Sequence, residues 1–275
     1  MRFAVGTPTA SSLSLVAVHP FSGIGMPFRA LALPLAATAN VIGISARGLA
    51  AGQTPFSSYQ EMLEAYAAAI GQVSARQPVV LLGWSMGGPI AFDLTAQLSK
   101  TGRPAAGLII LDAVHSLTPG TVEQPYAITE DFSSWCQERL QDFGDTTAPR
   151  EGQSTTALST ALIKTAAAHG MIDPVVLEGD PETLDRLARV SHGLDQITRK
   201  RHVRVPFPGP TLIVRAAESI EQSADPLLGW SPLCTDATGV DVPYGHFNLM
   251  QPDAAQAVAE KVCEWINRAA CSAPN

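Results

Sequence analysis

Residues 79–90 read VVLLGWSMGGPI: an apolar run passes straight into Gly-Trp-Ser-Met-Gly, and a helical pattern begins at once behind it. No other stretch constrains the fold as tightly. Apolar residues without polar alternation mark a strand covered on both faces. A serine between two glycines at the end of such a strand requires a sharp strand-to-helix turn. Side chains at Gly83 or Gly87 would collide with the neighbouring strand or helix, so both glycines have a steric purpose. The turn exposes the Ser85 hydroxyl at the head of a helix, where backbone N–H groups and the helix dipole favour developing negative charge. Pro89 falls in the first helical turn, where a missing N–H does least harm. G-x-S-x-G alone occurs by chance; the strand before it and the helix after it make Ser85 a candidate nucleophile.

The flanking sequence repeats this alternation. SLSLVAV (12–18), NVIGIS (40–45), PVVLLG (78–83) and GLIILD (107–112) read as strands. Helices are predicted around 25–36, over 57–75 with Ser57 or Ser58 as N-cap and Glu61 completing a capping box, and over 88–102. Strands alternating with helices, the strands nearly continuous in apolar residues, mean α/β with a mostly parallel sheet and helices on both faces. From 115 to 205 the pattern changes. Residues 129–142, 154–169 and 181–200 look helical, with no convincing strand among them. PFPGP (206–210) breaks the helices, TLIVRA (211–216) resumes the sheet, GVDVPY (239–244) reads as a last strand, and 253–270 as a closing helix. The block at 115–205 is therefore expected to be a helical insertion in one domain spanning 1–275. Ligands of such sheets bind beyond the carboxyl ends of the strands, so the insertion reads as a lid.

Composition excludes some functions. A formal charge of −7 argues against an extended nucleic-acid surface. Cys136, Cys234, Cys263 and Cys271 form no C-x-x-C pair and no metal spacing, and are expected to be reduced packing thiols. The first twenty residues, broken by Thr, Pro and Ser, make a poor secretory signal, and no apolar run reaches the length of a membrane span. The expectation is a soluble, cytoplasmic protein.

A serine hydroxyl needs a base oriented by a third group. His246, in PYGHFNLMQP, leaves the last strand on a Gly-containing loop just before the final helix, the position expected of that base. His169 reads as a helix cap, and His192 and His202 as surface groups; His19 and His115 lie on loops that could line the pocket. Asp112, at the end of the strand after the one bearing Ser85, is the favoured acid. Glu218, Glu221 and Asp225, after TLIVRA, are the alternatives. Two backbone N–H groups should form an oxyanion hole. Met86 follows the nucleophile, and the loop HPFSGIG (19–25) supplies the other, with Phe21 as the candidate donor. RKRHVR (199–204), the only basic cluster, reads either as a solvated helix end or as a docking patch for an acidic partner.

The order VAVHPFSGIGMPFRALA, VIGISARGL, LLGWSMGGPIAFDLTAQL, LIILDA, LIVRAAE, VPYGHFNLM resembles the thioesterase domains that end non-ribosomal peptide synthetases and related polyketide synthases. The resemblance covers about two-thirds of the chain, on both sides of the insertion. It implies an α/β-hydrolase fold and, by the spacing from Ser85, supports Asp112 as the acid. It further implies a substrate thioester on the phosphopantetheine arm of an acyl or peptidyl carrier protein. That chain would be released by hydrolysis or macrocyclisation, with no metal or organic cofactor bound. The rival readings are a standalone editing thioesterase, whose acid follows the later strand, a small-molecule carboxylesterase, and a non-catalytic binding module.

Overall fold

The computed structural model describes residues 2–3, 13–74, 77–115, 131–144, 154–201, 205–218 and 225–272. Among the described residues there are seven strands: β1 (Arg2–Phe3), β2 (Leu13–Val18), β3 (Ala39–Ile44), β4 (Val79–Trp84), β5 (Gly107–Leu111), β6 (Phe207–Ala216) and β7 (Cys234–Val242). They form one sheet in the order β1-β3-β2-β4-β5-β6-β7. Every neighbouring pair is parallel except β1 with β3.

Period-two alternation sorts the sheet's side chains between two cores. Leu15, Ala17, Leu82 and Leu111 face one side, together with residues of the C-terminal helix α6 (Pro252–Ser272). Val16, Val18, Leu81 and Ile110 face the other, against α1 (Tyr59–Val73) and α2 (Gly87–Lys100). Helix α1 starts where Ser58 accepts a hydrogen bond from the Glu61 N–H, and Glu61 in turn accepts from Ser57. It buries Met62, Leu63, Tyr66, Ala67 and Ile70, one stripe at helical spacing. β4 is buried at every position, which is why it lacks polar alternation.

Between β5 and β6 lie α3 (Phe132–Asp142), α4 (Thr155–Ala168), a 3₁₀ turn (Pro174–Glu178) and α5 (Pro181–Thr198). Helices α3 and α4 share a small core of Trp135, Cys136, Leu140, Leu158 and Leu162. Helix α5 instead contributes to both main cores, through Leu184, Leu187 and Ala188 on one side and Val190, Leu194 and Ile197 on the other.

Three sequence expectations need correction. The helix expected at 25–36 is a 3₁₀ turn over Met26–Leu31 followed by turns. Its bonds close at three-residue spacing (Phe28 N–H to Gly25, Ala32 N–H to Arg29), and Pro34 removes a donor a longer helix would need. PFPGP does not precede β6 but opens it from Phe207, with a register irregularity between Phe207 and Pro210 that accommodates the prolines. β7 begins at Cys234, ahead of the expected 239. As an edge strand with most residues exposed, it carries little apolar signal.

Candidate active site

Three non-glycine residues have positive φ among those described, and two are Ser85 (φ 55) and Asp112 (φ 45). Such backbone is costly for a residue with a Cβ and persists where the surroundings enforce it. At Ser85 they do so visibly. Its N–H donates to the Leu111 carbonyl at 3.1 Å, and its own carbonyl accepts from the Gly88 N–H at 2.9 Å. A Cβ at Gly83 would land on the Gly87 carbonyl, and one at Gly87 would lie 2.5 Å from the Val18 oxygen. The chain therefore reverses between β4, β2 and α2 with no room for side chains on the inside of the turn.

Asp112 leaves β5 in the same way, its N–H donating to the Val214 carbonyl at 2.7 Å. Its carboxylate is held at both oxygens. Oδ1 accepts from the Ala216 N–H at 2.9 Å, and Oδ2 lies 2.8 Å from Nδ1 of His246. A carboxylate oxygen only accepts, so Nδ1 carries the proton of the neutral ring and Nε2 keeps its lone pair. His246 opens a 3₁₀ turn (His246–Asn248) just beyond β7. The indole N–H of buried Trp84, next to Ser85, donates to the His246 carbonyl at 3.2 Å and anchors that turn. The other candidate acids are placed differently. Asp225 accepts from the Leu227 and Gly229 N–H groups, closing its own loop. The Glu218 backbone N–H donates to the Tyr244 carbonyl, and Glu221 lies outside the described residues.

Met86 is the N-cap of α2, and no side chain caps that helix. Phe21 sits in the turn after β2, half-buried, in an aromatic group that runs to the base. Its ring centroid is 5.8 Å from that of Phe143; Phe143 is 4.5 Å from Phe247, and Phe247 meets His246 edge-on at 4.9 Å. His169, the C-cap of α4, stacks on Phe143 at 5.1 Å. Aromatics from the helical segment between β5 and β6 and from the loops after β2 and β7 thus form one partly exposed apolar surface beside the imidazole.

The remaining histidines are placed as follows. His19 does not line the site; it is fully buried and hydrogen-bonded to Tyr66. His115 is buried and stacks on Trp230 at 4.5 Å. His192 is not a free surface group but packs on Phe132 and Trp135. His202 lies outside the described residues, as do 203 and 204.

In the described part of the basic cluster Lys200 is exposed, but both arginines are engaged. Arg199 pairs with Asp195, and Arg201, its side chain fully buried, pairs with Asp93 of α2 at 2.9 Å. Tyr59 donates to the same carboxylate at 2.7 Å, and burial beside that anion pushes its hydroxyl well above the usual phenol range. The missed signal was Asp93 itself, a lone carboxylate in the apolar stretch PIAFDL, which requires a cation nearby. Among the described residues no group of three or more His, Cys, Asp or Glu could hold a metal, and no helix is long and apolar enough to cross a membrane.

A family model described as the thioesterase domain matches residues 14–266. Malpinin synthetase of Mortierella alpina is 26% identical over 270 residues, covering 96% of this chain but only 3% of that protein. The solved Vlm2 thioesterase domain, bound with a dodecadepsipeptide, is 24% identical, with a TM-score of 0.66 over 94% of each chain. YbtT, a type II thioesterase from a yersiniabactin NRPS/PKS pathway, is 19% identical with a TM-score of 0.69 over 98% of each chain. The architecture is that of these neighbours, an α/β-hydrolase fold. The chain belongs to the thioesterase domain family.

Proposed function

We propose that this chain releases an acyl or peptidyl group from the phosphopantetheine thioester of a carrier protein, as a serine hydrolase working through a seryl acyl-enzyme. The observation that carries the reading is the 2.8 Å contact of Asp112 Oδ2 with His246 Nδ1. That contact leaves Nε2 of a fixed imidazole as the basic nitrogen, in a fold whose nucleophile turn bears Ser85. His246 takes the Ser85 proton as Oγ attacks the thioester carbonyl. The tetrahedral oxyanion is held by the N–H groups of Met86 and Phe21. The C–S bond then breaks, and His246 returns the proton to the departing thiol. In the second half His246 deprotonates water, or an amine or hydroxyl of the chain itself, as that group attacks the acyl carbon. The ester bond to Ser85 Oγ then breaks, His246 returns the proton to Oγ, and the product leaves as a free acid or a macrocycle. Asp112 orients the imidazole and stabilises its protonated form in both halves. The chain is one α/β-hydrolase domain whose 115–205 segment is the lid, and the aromatic surface of Phe21, Phe143 and Phe247 shields the acyl group from water. A cytoplasmic setting is part of this reading; burial pushes Cys136 up to about 12 and Cys234 to about 11, which keeps both as protonated packing thiols.

The test is a panel of acyl and peptidyl thioesters of a truncated pantetheine, with products identified by mass. We expect turnover, an acyl adduct on the Ser85 peptide, and a loss of about ten-thousand-fold or more in Ser85→Ala. Unchanged turnover in that variant would remove Ser85 from the reaction. Faster cleavage of simple oxygen esters than of any thioester would make the protein a carboxylesterase instead.

A further inference from the structure

Phe21 is proposed above to donate its backbone N–H to the oxyanion, yet it lies on a loop, and nothing in its own side chain fixes the direction of that N–H. The neighbouring peptide atoms do. The Phe21 N–H shares a peptide plane with the Pro20 carbonyl, and in a trans peptide the two point in opposite directions. Whatever holds the Pro20 oxygen therefore aims the Phe21 N–H. Two donors hold it: the Gly23 N–H at 3.1 Å and Nδ1 of His19 at 2.8 Å.

His19 is itself fixed from behind. Its Nε2 lies 2.6 Å from Oη of Tyr66 on α1, and the two rings meet edge-on at 5.7 Å. A carbonyl oxygen only accepts, so Nδ1 carries the proton; Nε2 then offers a lone pair, and Tyr66 must donate to it. Burial keeps both groups in these forms, lowering His19 to about 4 and raising Tyr66 above its ordinary value. The far side of the loop is also tied: the Ala46 N–H donates to the Gly23 carbonyl at 2.7 Å, and the Ser22 hydroxyl donates to the Met171 carbonyl at 3.2 Å. Packing alone does not call for this pair, since an apolar pair of similar shape would fill the same volume without burying polar groups.

We infer that His19, held in one tautomer by Tyr66, is a positioning residue that aims the Phe21 N–H at the oxyanion through the Pro20 carbonyl. The inference rests on the function proposed above. Two donors on the Pro20 oxygen also polarise that amide and strengthen its N–H as a donor.

Three variants test it against a thioester substrate and a boronic acid that forms a tetrahedral adduct with the serine. In His19→Ala we expect kcat to fall about ten- to a hundred-fold, short of the full loss of an oxyanion donor. KM should stay near its original value, and boronic acid binding should weaken by the same factor as kcat. His19→Asn, whose amide N–H stands close to the position of Nδ1, should recover most of kcat. Tyr66→Phe, which removes one hydroxyl and keeps the ring, should fall between them; it carries the same kcat-against-KM test if His19→Ala does not fold. Equal kcat losses in His19→Asn and His19→Ala would overturn the inference, and so would an unchanged kcat accompanied only by a lower Tm. Ser85→Ala, measured alongside, separates the two levels. Turnover that survives in Ser85→Ala removes the function on which the inference rests. Turnover lost in Ser85→Ala but unaffected at His19 and Tyr66 removes the positioning role alone.

Discussion

The helices of the insertion and the helix behind Ser85 begin in opposite ways. Asp131 caps α3, Ser154 caps α4 and Asp180 caps α5, each side chain accepting from an N–H in the first turn. Helix α2 opens at Met86 without a side-chain cap. A capped N-terminus has satisfied a first-turn donor internally, whereas an uncapped one keeps its positive end for a guest. The insertion is thus built from locally self-sufficient helices. The site is built from backbone that is left incomplete and strained at Ser85 and Asp112, and is held there by neighbouring strands. Perturbing the site should cost activity, and perturbing the insertion should cost stability.

The largest effect is expected at the site. Asp112→Asn keeps an acceptor for the Ala216 N–H but presents an N–H to His246, forcing the wrong tautomer. We expect kcat to drop about a thousand- to ten-thousand-fold, with little change in the urea midpoint. A parallel loss of stability would blur the division just drawn. Next in size is Arg201→Ala, which strands Asp93 in the interior. Unfolding in urea should show a loss of about 3–5 kcal/mol, while the molecules that remain folded turn over within a few-fold of the original rate. A loss well under 1 kcal/mol would mean that α5 is held by its apolar face alone. The smallest effect is expected at the cap of α4: Ser154→Ala should lower Tm by about 2–4 °C and leave kcat unchanged. A fall in kcat there would show that the insertion's local stability reaches the chemistry.

The same division governs what can be read from the chain. Gly83 and Gly87 are legible because a collision with backbone depends on the turn, which the motif itself demands. β2, β4 and β5 are legible because burial on both faces leaves a continuous apolar run. The first half of β7 is not, since an exposed edge strand alternates nothing that distinguishes it from a loop. The stretch 25–36 imitates a helix by composition, and only Pro34 speaks against one. Asp112 and His246 stand 134 positions apart, and strand order names them as candidates without showing that they touch. Arg201 is hardest of all. A basic run looks like surface, and its burial depends on a single carboxylate in another helix. Fold and candidate site are legible where backbone geometry decides, and obscure where one side chain chooses a distant partner.

The buried Arg201–Asp93 pair has a mechanical consequence. It pins the C-terminal end of α5 to the same helix whose N-terminus follows Ser85, and α5 is packed into both main cores besides. Helix α3 is held more lightly. Its buried side chains Trp135, Cys136 and Leu140 lie in the small core shared with α4, and Phe132 alone packs against a main core. Its ties to α5 are the packing of Phe132 and Trp135 on His192 and the bond from the Trp135 indole to Asp195 at 3.0 Å. The lid proposed above is therefore asymmetric in how firmly its helices are held. Displacing α5 would uncover a charge, whereas displacing α3 would open the small satellite core and the contact of Phe132 with a main core.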